Sequence, residues 1–428
     1  MRFFSESQPM DSKIYTVFIL CVLSFILCNN SSVLSSEISI KNNHIYANNM
    51  VGVRILGGKV IVQDTHIYNN GRAGVIIKDG TDDTLIDQCV ISYNKKAGIN
   101  IDNIGNTRIH SSHIYHNDTS GIQIANNETS LERKLKGACY VDIQDTRIYM
   151  NNTSGVRCGF SDTVEHRLLV GIKGCTIEKN KKSGIIVEHN SALVASENKI
   201  SLNGMAGITT GELGETVPTI DVYKNIISEN DNCGINAQYA ITTSIGIRNN
   251  LILNNGNSGI RCKKTPMMIA NNTIINNGNK FQGVGIEHLD TTHSPSIVNN
   301  ILAYNHITGS KIPTCSGYSY NLYYNNGGAG NCCNNCDDAP YSIEHKQIGG
   351  CRRGKADLIC NPLFTAPEKH DFSLSTNSVA IDAGCEKELF EDRYFPPSQG
   401  TPRNDMGITG GPYAIDVSVI FPESNQKP

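Results

Sequence analysis

A guanidinium, a carboxylate and an imidazole fall near one another in this chain's repeat pattern, at Arg157, Glu188 and His189. Such a trio can neutralise an anionic ligand, orient it and take a proton from it. In this reading Arg157 meets a ligand carboxylate, His189 accepts the proton, and Glu188 orients the ligand or does acid work. Asp162, His166, Glu212 and Asn236 supply binding contacts, with Glu165 close by. The competing reading is a surface ion-pair network. Arg261 and Glu287 read as a plain ion pair of that kind.

The scaffold that would gather these residues is a repeat. Gly followed by Val or Ile recurs at Gly52, Gly74, Gly98, Gly121, Gly155, Gly184, Gly207, Gly234, Gly259 and Gly285, at intervals of 22 to 34 residues. A second phrase, an aliphatic residue followed three positions later by Asn, precedes each. Examples are Ile67 to Asn70 and Ile200 to Asn203, and twelve copies run on to Asn326. Segments such as Gly74-Val-Ile-Ile-Lys78 are short, β-branched and alternating, which is the strand pattern. One repeat cannot bury its own apolar face, so repeats must stack. The repeated Asn is expected to take the left-handed turn conformation and to link coil to coil through its amide.

Strand alternation then sorts the candidate residues. Counting from each repeat Gly, the first and third positions point inward and the second and fourth outward. Arg157, Asn236, Arg261 and Glu287 fall on the second position and Glu188 on the fourth, so one outer stripe carries them. The two widest intervals, 34 and 29, lie between Gly121 and Gly184. Residues 126–137 and 161–167 must therefore bulge as loops beside the stripe, and 212–217 form another expanded turn. Loops on a regular scaffold are where binding and catalysis concentrate.

Composition bounds the rest. The chain has 428 residues, 39% hydrophobic and 18% charged, with net charge −3. That excludes a disordered chain and argues against a nucleic-acid partner, which needs a basic field. Ile14 to Leu27 is an apolar run of signal-peptide length, with small residues up to Ser36. Residues 1–36 therefore read as a signal peptide or an apolar N-terminal segment, with no stable membrane span in the mature chain. Of 15 cysteines, Cys315, Cys332, Cys333, Cys336, Cys351, Cys360 and Cys385 crowd the C-terminal region. They suggest disulfides in a loop-rich segment; a zinc site from Cys332, Cys336, Cys351 and Cys360 is the alternative. Cys158 and Cys262 fall at inward positions and read as buried small apolar residues. His110, His113 and His116 alternate along one short segment and read as surface polarity.

The Gly-Ile-x-Ile and Ile-x-x-Asn phrases, from Ile38 to Asn326, resemble the right-handed parallel β-helix repeat of the pectin-lyase-like superfamily. That group includes carbohydrate-binding and sugar-hydrolase proteins and the periplasmic protein NosD. The resemblance implies an all-β fold, a single-stranded right-handed parallel β-helix of about 12 coils. It would span residues 37–330, with an irregular Cys-rich segment over 331–428. Asn361-Pro-Leu-Phe364, Ala380-Ile-Asp-Ala-Gly384 and Asp405-Met-Gly407 are similar in order to the closing segment of secreted bacterial β-helix proteins. That segment is expected to cap the open end, with Asp382 and Asp405 as turn residues.

For function, the resemblance implies a secreted, periplasmic or cell-surface protein acting on or binding polysaccharide or a cell-surface glycan. The chemistry could be of lyase, epimerase or hydrolase type. The paired-carboxylate phrases of polygalacturonases and the Asp-Pro-His-Asp phrase of alginate epimerases are absent. A lyase or epimerase needs a cation on the sugar carboxylate; Arg, Lys, His or bound Ca²⁺ can serve. The alternative is a non-catalytic repeat protein for glycan binding, adhesion or a NosD-like role.

Overall fold

Each repeat supplies three short strands. In one coil these are Leu168–Lys173, Thr176–Glu178 and Ile185–Val187. A computed structural model describes residues 37–78, 83–102, 105–126, 139–160, 168–188, 191–211, 217–238, 240–243, 245–263, 266–290, 295–311, 318–327 and 356–416. The strands of successive coils pair in parallel, building three sheets of 12, 13 and 11 strands among the described residues. Register is kept: Val156, Arg157 and Cys158 face Ile185, Ile186 and Val187. Inward Ile, Val and Leu stack into one continuous core from Ile40 to Tyr323. Among the described residues there is no α-helix, and none is long and apolar enough to cross a membrane.

The repeat glycines answer to close packing. A Cβ at Gly74 would lie 2.7 Å from the Gly98 carbonyl oxygen, 2.7 Å from Ile91 and 2.8 Å from the Asn94 amide nitrogen. Only glycine lets each coil settle against the turn of the next.

The asparagines form the expected ladder. Asn48, Asn70, Asn94, Asn117 and Asn151 link in sequence, each Nδ2 donating to the next Oδ1 over 2.8–3.0 Å. The series continues from Asn180 to Asn326. One expectation is corrected. The left-handed residue is the one before each ladder Asn: Tyr93, His116, Met150, Lys179, Leu202 and Glu229 all have positive φ. The amide pins the turn so firmly that the preceding position accepts almost any side chain, although the conformation costs about 1–2 kcal/mol.

A second ladder, unforeseen, runs along the turn between the first and second sheets. Asn198, Asn225, Asn250, Asn272, Asn300 and Asn321 link in the same way. Asp357 ends the series by accepting from the Asn321 backbone N–H at 2.8 Å. Towards the N-terminus the same column holds Cys175, Thr146, Ser112 and Cys89. Burial raises the Cys89 thiol to about 11 and the Cys175 thiol to about 12, so both are structural and unreactive near neutrality. Cys158 and Cys262 are buried inward, as expected. Cys385 is a buried thiol; Cys315, Cys332, Cys333, Cys336 and Cys351 lie outside the described residues.

The described part of the C-terminal segment, residues 356–416, covers a flank of the solenoid. Leu358–Ile359 adds a strand to the second sheet. The chain then turns back along the flank. A hairpin of Phe364–Ala366 and Asp371–Leu374, bent at a 3₁₀ turn Pro367–Lys369, lies against the outer wall. Phe372 and Ile408 cover Ile226, Leu251, Leu253 and Ile275; Leu374 and Met406 cover Ile301 and Leu322. The reason is visible in the strands. In Leu251–Leu253 and Ile301–Ala303 all three residues are apolar and buried, whereas His44–Tyr46 alternates. A strand apolar on both faces must be covered on both. Asn249 fastens the cover by donating from Nδ2 to the Ile408 and Gly410 carbonyls. Asp382 and Asp405 serve as turn residues: Asp405 accepts from the Asp382 and Gln399 backbone N–H groups, both at 2.8 Å.

Candidate functional site on the third sheet

The outer face of the third sheet is the stripe inferred from the repeat. Gln123, Arg157, Ile186, Thr209, Asn236, Arg261 and Glu287 occupy one column in consecutive coils. Strand alternation aims them outward, because their neighbours at the first and third positions fill the core.

Arg157 and Glu188 meet here. The guanidinium binds the carboxylate through two hydrogen bonds, Nε to Oε2 at 3.1 Å and Nη2 to Oε1 at 2.8 Å. The pair remains open to solvent, with side-chain exposures of 48% and 28%. The hydrogen bond to Glu188 raises Arg157 above its ordinary value. Glu188 sits in a notch between two glycines of the neighbouring coils. A Cβ on Gly159 would lie 2.5 Å from Glu188 Oε2, and one on Gly211 would lie 3.1 Å from its Cγ. Counting along the sequence places Gly159, Glu188 and Gly211 in the outward fourth-position column, but does not show the notch that the two glycines make.

The other stripe residues are less available. Asn236 accepts from Gln238 Nε2 at 3.0 Å and lies three coils beyond Arg157 in the column. Three coils are about 14 Å, so Asn236 shares the face with Arg157 without touching it. Arg261 donates to Glu287 at 2.7 Å, with Ser258 on the same carboxylate at 3.2 Å, as a ladder pair should. Lys78 pairs with Asp102 at 3.1 Å. His189, Asp162, Glu165, His166 and Glu212 lie outside the described residues. Among the described residues no three His, Cys, Asp or Glu side chains converge as a metal would require. Glu188 and Glu287 each already hold an arginine.

The first sheet carries a polar group that sequence reasoning also missed. His110 Nε2 lies 3.4 Å from Asp142 Oδ2, and Gln144 Nε2 donates to that oxygen at 2.8 Å. Arg108 holds Asp83 at 2.7 Å beside them. The signal was present in outward alternate positions such as Arg108-x-His110 and Asp142-x-Gln144.

Three parallel sheets, an unbroken aliphatic core and stacked asparagines define a parallel β-helix. The family model for the right handed beta helix region matches residues 24–169 and 166–348. The chain belongs to that family. No curated protein matches it by sequence. Among solved structures it is similar to pectate lyase Pel9A, at 14% identity over 87% of each chain, with a TM-score of 0.49. It is also similar to a variant of the periplasmic alginate epimerase AlgG, at 15% identity over 76% of this chain and 85% of that one, TM-score 0.47. The A-module of Azotobacter vinelandii mannuronan C-5 epimerase AlgE4 is 13% identical over 76% of this chain and 89% of that one, TM-score 0.40.

Proposed function

We propose that this chain is an extracytoplasmic β-helix protein that acts on or binds an acidic polysaccharide along the outer face of its third sheet. The observation that carries the reading is the setting of Glu188. Two glycines clear a notch around one carboxylate, and an exposed arginine grips it from the next coil. An exposed ion pair of this kind contributes only about 0–1 kcal/mol. A sugar carboxylate can therefore replace Glu188 as the partner of Arg157 at little cost. Arg157 would then neutralise the uronate and acidify the proton on the adjacent carbon, His189 would accept it, and Glu188, released, would orient the sugar or return a proton. Elimination or reprotonation follows from that step. Hydrolysis is less well supported, since it needs two carboxylates across the scissile bond.

A non-catalytic glycan-binding or surface repeat protein is the second reading. The bidentate satisfaction of Arg157 by Glu188 favours it. Incubation with a panel of acidic and neutral polysaccharides, read for reducing ends and for unsaturated products, separates the two. With a cleaved polymer in hand, Arg157→Ala and His189→Ala should abolish turnover and move the denaturation midpoint by less than about 1 kcal/mol. Full activity in both variants refutes the assignment.

A further inference from the structure

The C-terminal hairpin does not seal the wall it covers. Between its 3₁₀ turn and the second sheet an open cleft of about 420 Å³ remains. One side is the row of left-handed turn residues Asn254, Asn276 and Tyr304, held in consecutive coils at φ near 55°. The ladder asparagines that follow them force their side chains outward. Asn276 donates to Asn254 Oδ1 at 2.7 Å, which makes a fixed amide edge. Tyr304 stands 38% exposed beside it. The opposite side is Glu368 and His370, both exposed, with Phe372 behind them.

We propose that this cleft binds one unit of a neutral sugar chain. Amides, a carboxylate, an imidazole and a phenol hydroxyl together form a set of donors and acceptors suited to several hydroxyl groups. The exposed Tyr304 ring suits the C–H face of a pyranose. Charge selects against a uronate: among the described residues the lining contains Glu368 and no Lys or Arg. The cleft lies on a different sheet from Arg157 and requires no catalysis, so it stands or fails independently of the function proposed above.

Calorimetric titration of the full chain with cellohexaose, xylohexaose, maltohexaose and hexagalacturonate tests this. At least one neutral hexaose should bind and hexagalacturonate should not compete for its site. Tyr304→Ala and Glu368→Ala should each weaken that binding by about tenfold, while Arg157→Ala leaves it unchanged. Both replaced side chains are at the surface, so folding is preserved and circular dichroism verifies it. No binding of any neutral hexaose at roughly 10 mM, or unchanged binding in both cleft variants, overturns the proposal.

Discussion

Replacing Asn203 by Leu removes one rung from the middle of the long ladder. The side chain is fully buried and takes part in four hydrogen bonds. Nδ2 donates to Asn230 Oδ1 at 2.9 Å and to the Ile177 carbonyl at 3.1 Å. Oδ1 accepts from Asn180 Nδ2 at 3.0 Å and from the Asn180 backbone N–H at 3.1 Å. Leu can make none of these and leaves the buried Asn180 N–H without that acceptor. At about 1 kcal/mol per bond, with up to 3 for a buried group left unpaired, the expected loss is about 3–5 kcal/mol. Packing adds to it, because the Asn203 amide already lies 3.0 Å from where a Cβ on Gly184 would be, and a branched methyl has no room there. Urea unfolding followed by circular dichroism measures the change. Asn152→Leu is the control: Asn152 is exposed, with one bond of 3.3 Å to Asp118, and should shift stability by less than about 0.5 kcal/mol. Equal midpoints for the two variants would refute the reasoning that the ladder stabilises through buried amides.

Gly74→Ala places a methyl within 2.7 Å of backbone oxygen, so it should cost more than about 3 kcal/mol or abolish soluble expression; a midpoint near wild type in urea contradicts the packing argument. Leu202→Gly relieves a left-handed leucine worth about 1–2 kcal/mol against a chain-entropy cost of about 0.5–1, so stability should hold or rise slightly; a loss above 1 kcal/mol counts against it. Burial raises Asp392 to about 7 and Asp405 to about 6, above the ordinary value of 3.8. The folded segment thus binds more protons than the unfolded one, so its docking is firmest below about pH 4 and weakens as pH rises through 6 and 7. Hydrogen exchange of residues 361–416, compared with the ladder amides and corrected for intrinsic rates, should show protection falling over that range; flat protection rejects it.

The Gly-Ile and Ile-x-x-Asn phrases were enough to identify the stacked strands, the inward and outward columns and the long Asn ladder. Each depends on neighbours one coil away, and a coil is one repeat of sequence, so the contacts recur as a written period. The shared face of Arg157, Glu188 and Asn236 followed from the same counting. An ion pair between Arg157 and Glu188 followed too; its bidentate geometry did not, since side-chain pairing across coils is chosen among rotamers by the space that Gly159 and Gly211 leave. The second ladder also escaped notice, because its column changes from Thr, Ser and Cys to Asn only at Asn198 and so shows no uniform phrase. Least legible was the place of the C-terminal segment. The triply apolar strands Leu251–Leu253 and Ile301–Ala303 announced that something covers the wall. Only tertiary contacts between positions more than 100 residues apart, such as Asn249 with Ile408 and Asn271 with Asp405, decided what it is. Such pairs occur once in the chain, and a contact without repetition leaves no periodic trace in the sequence.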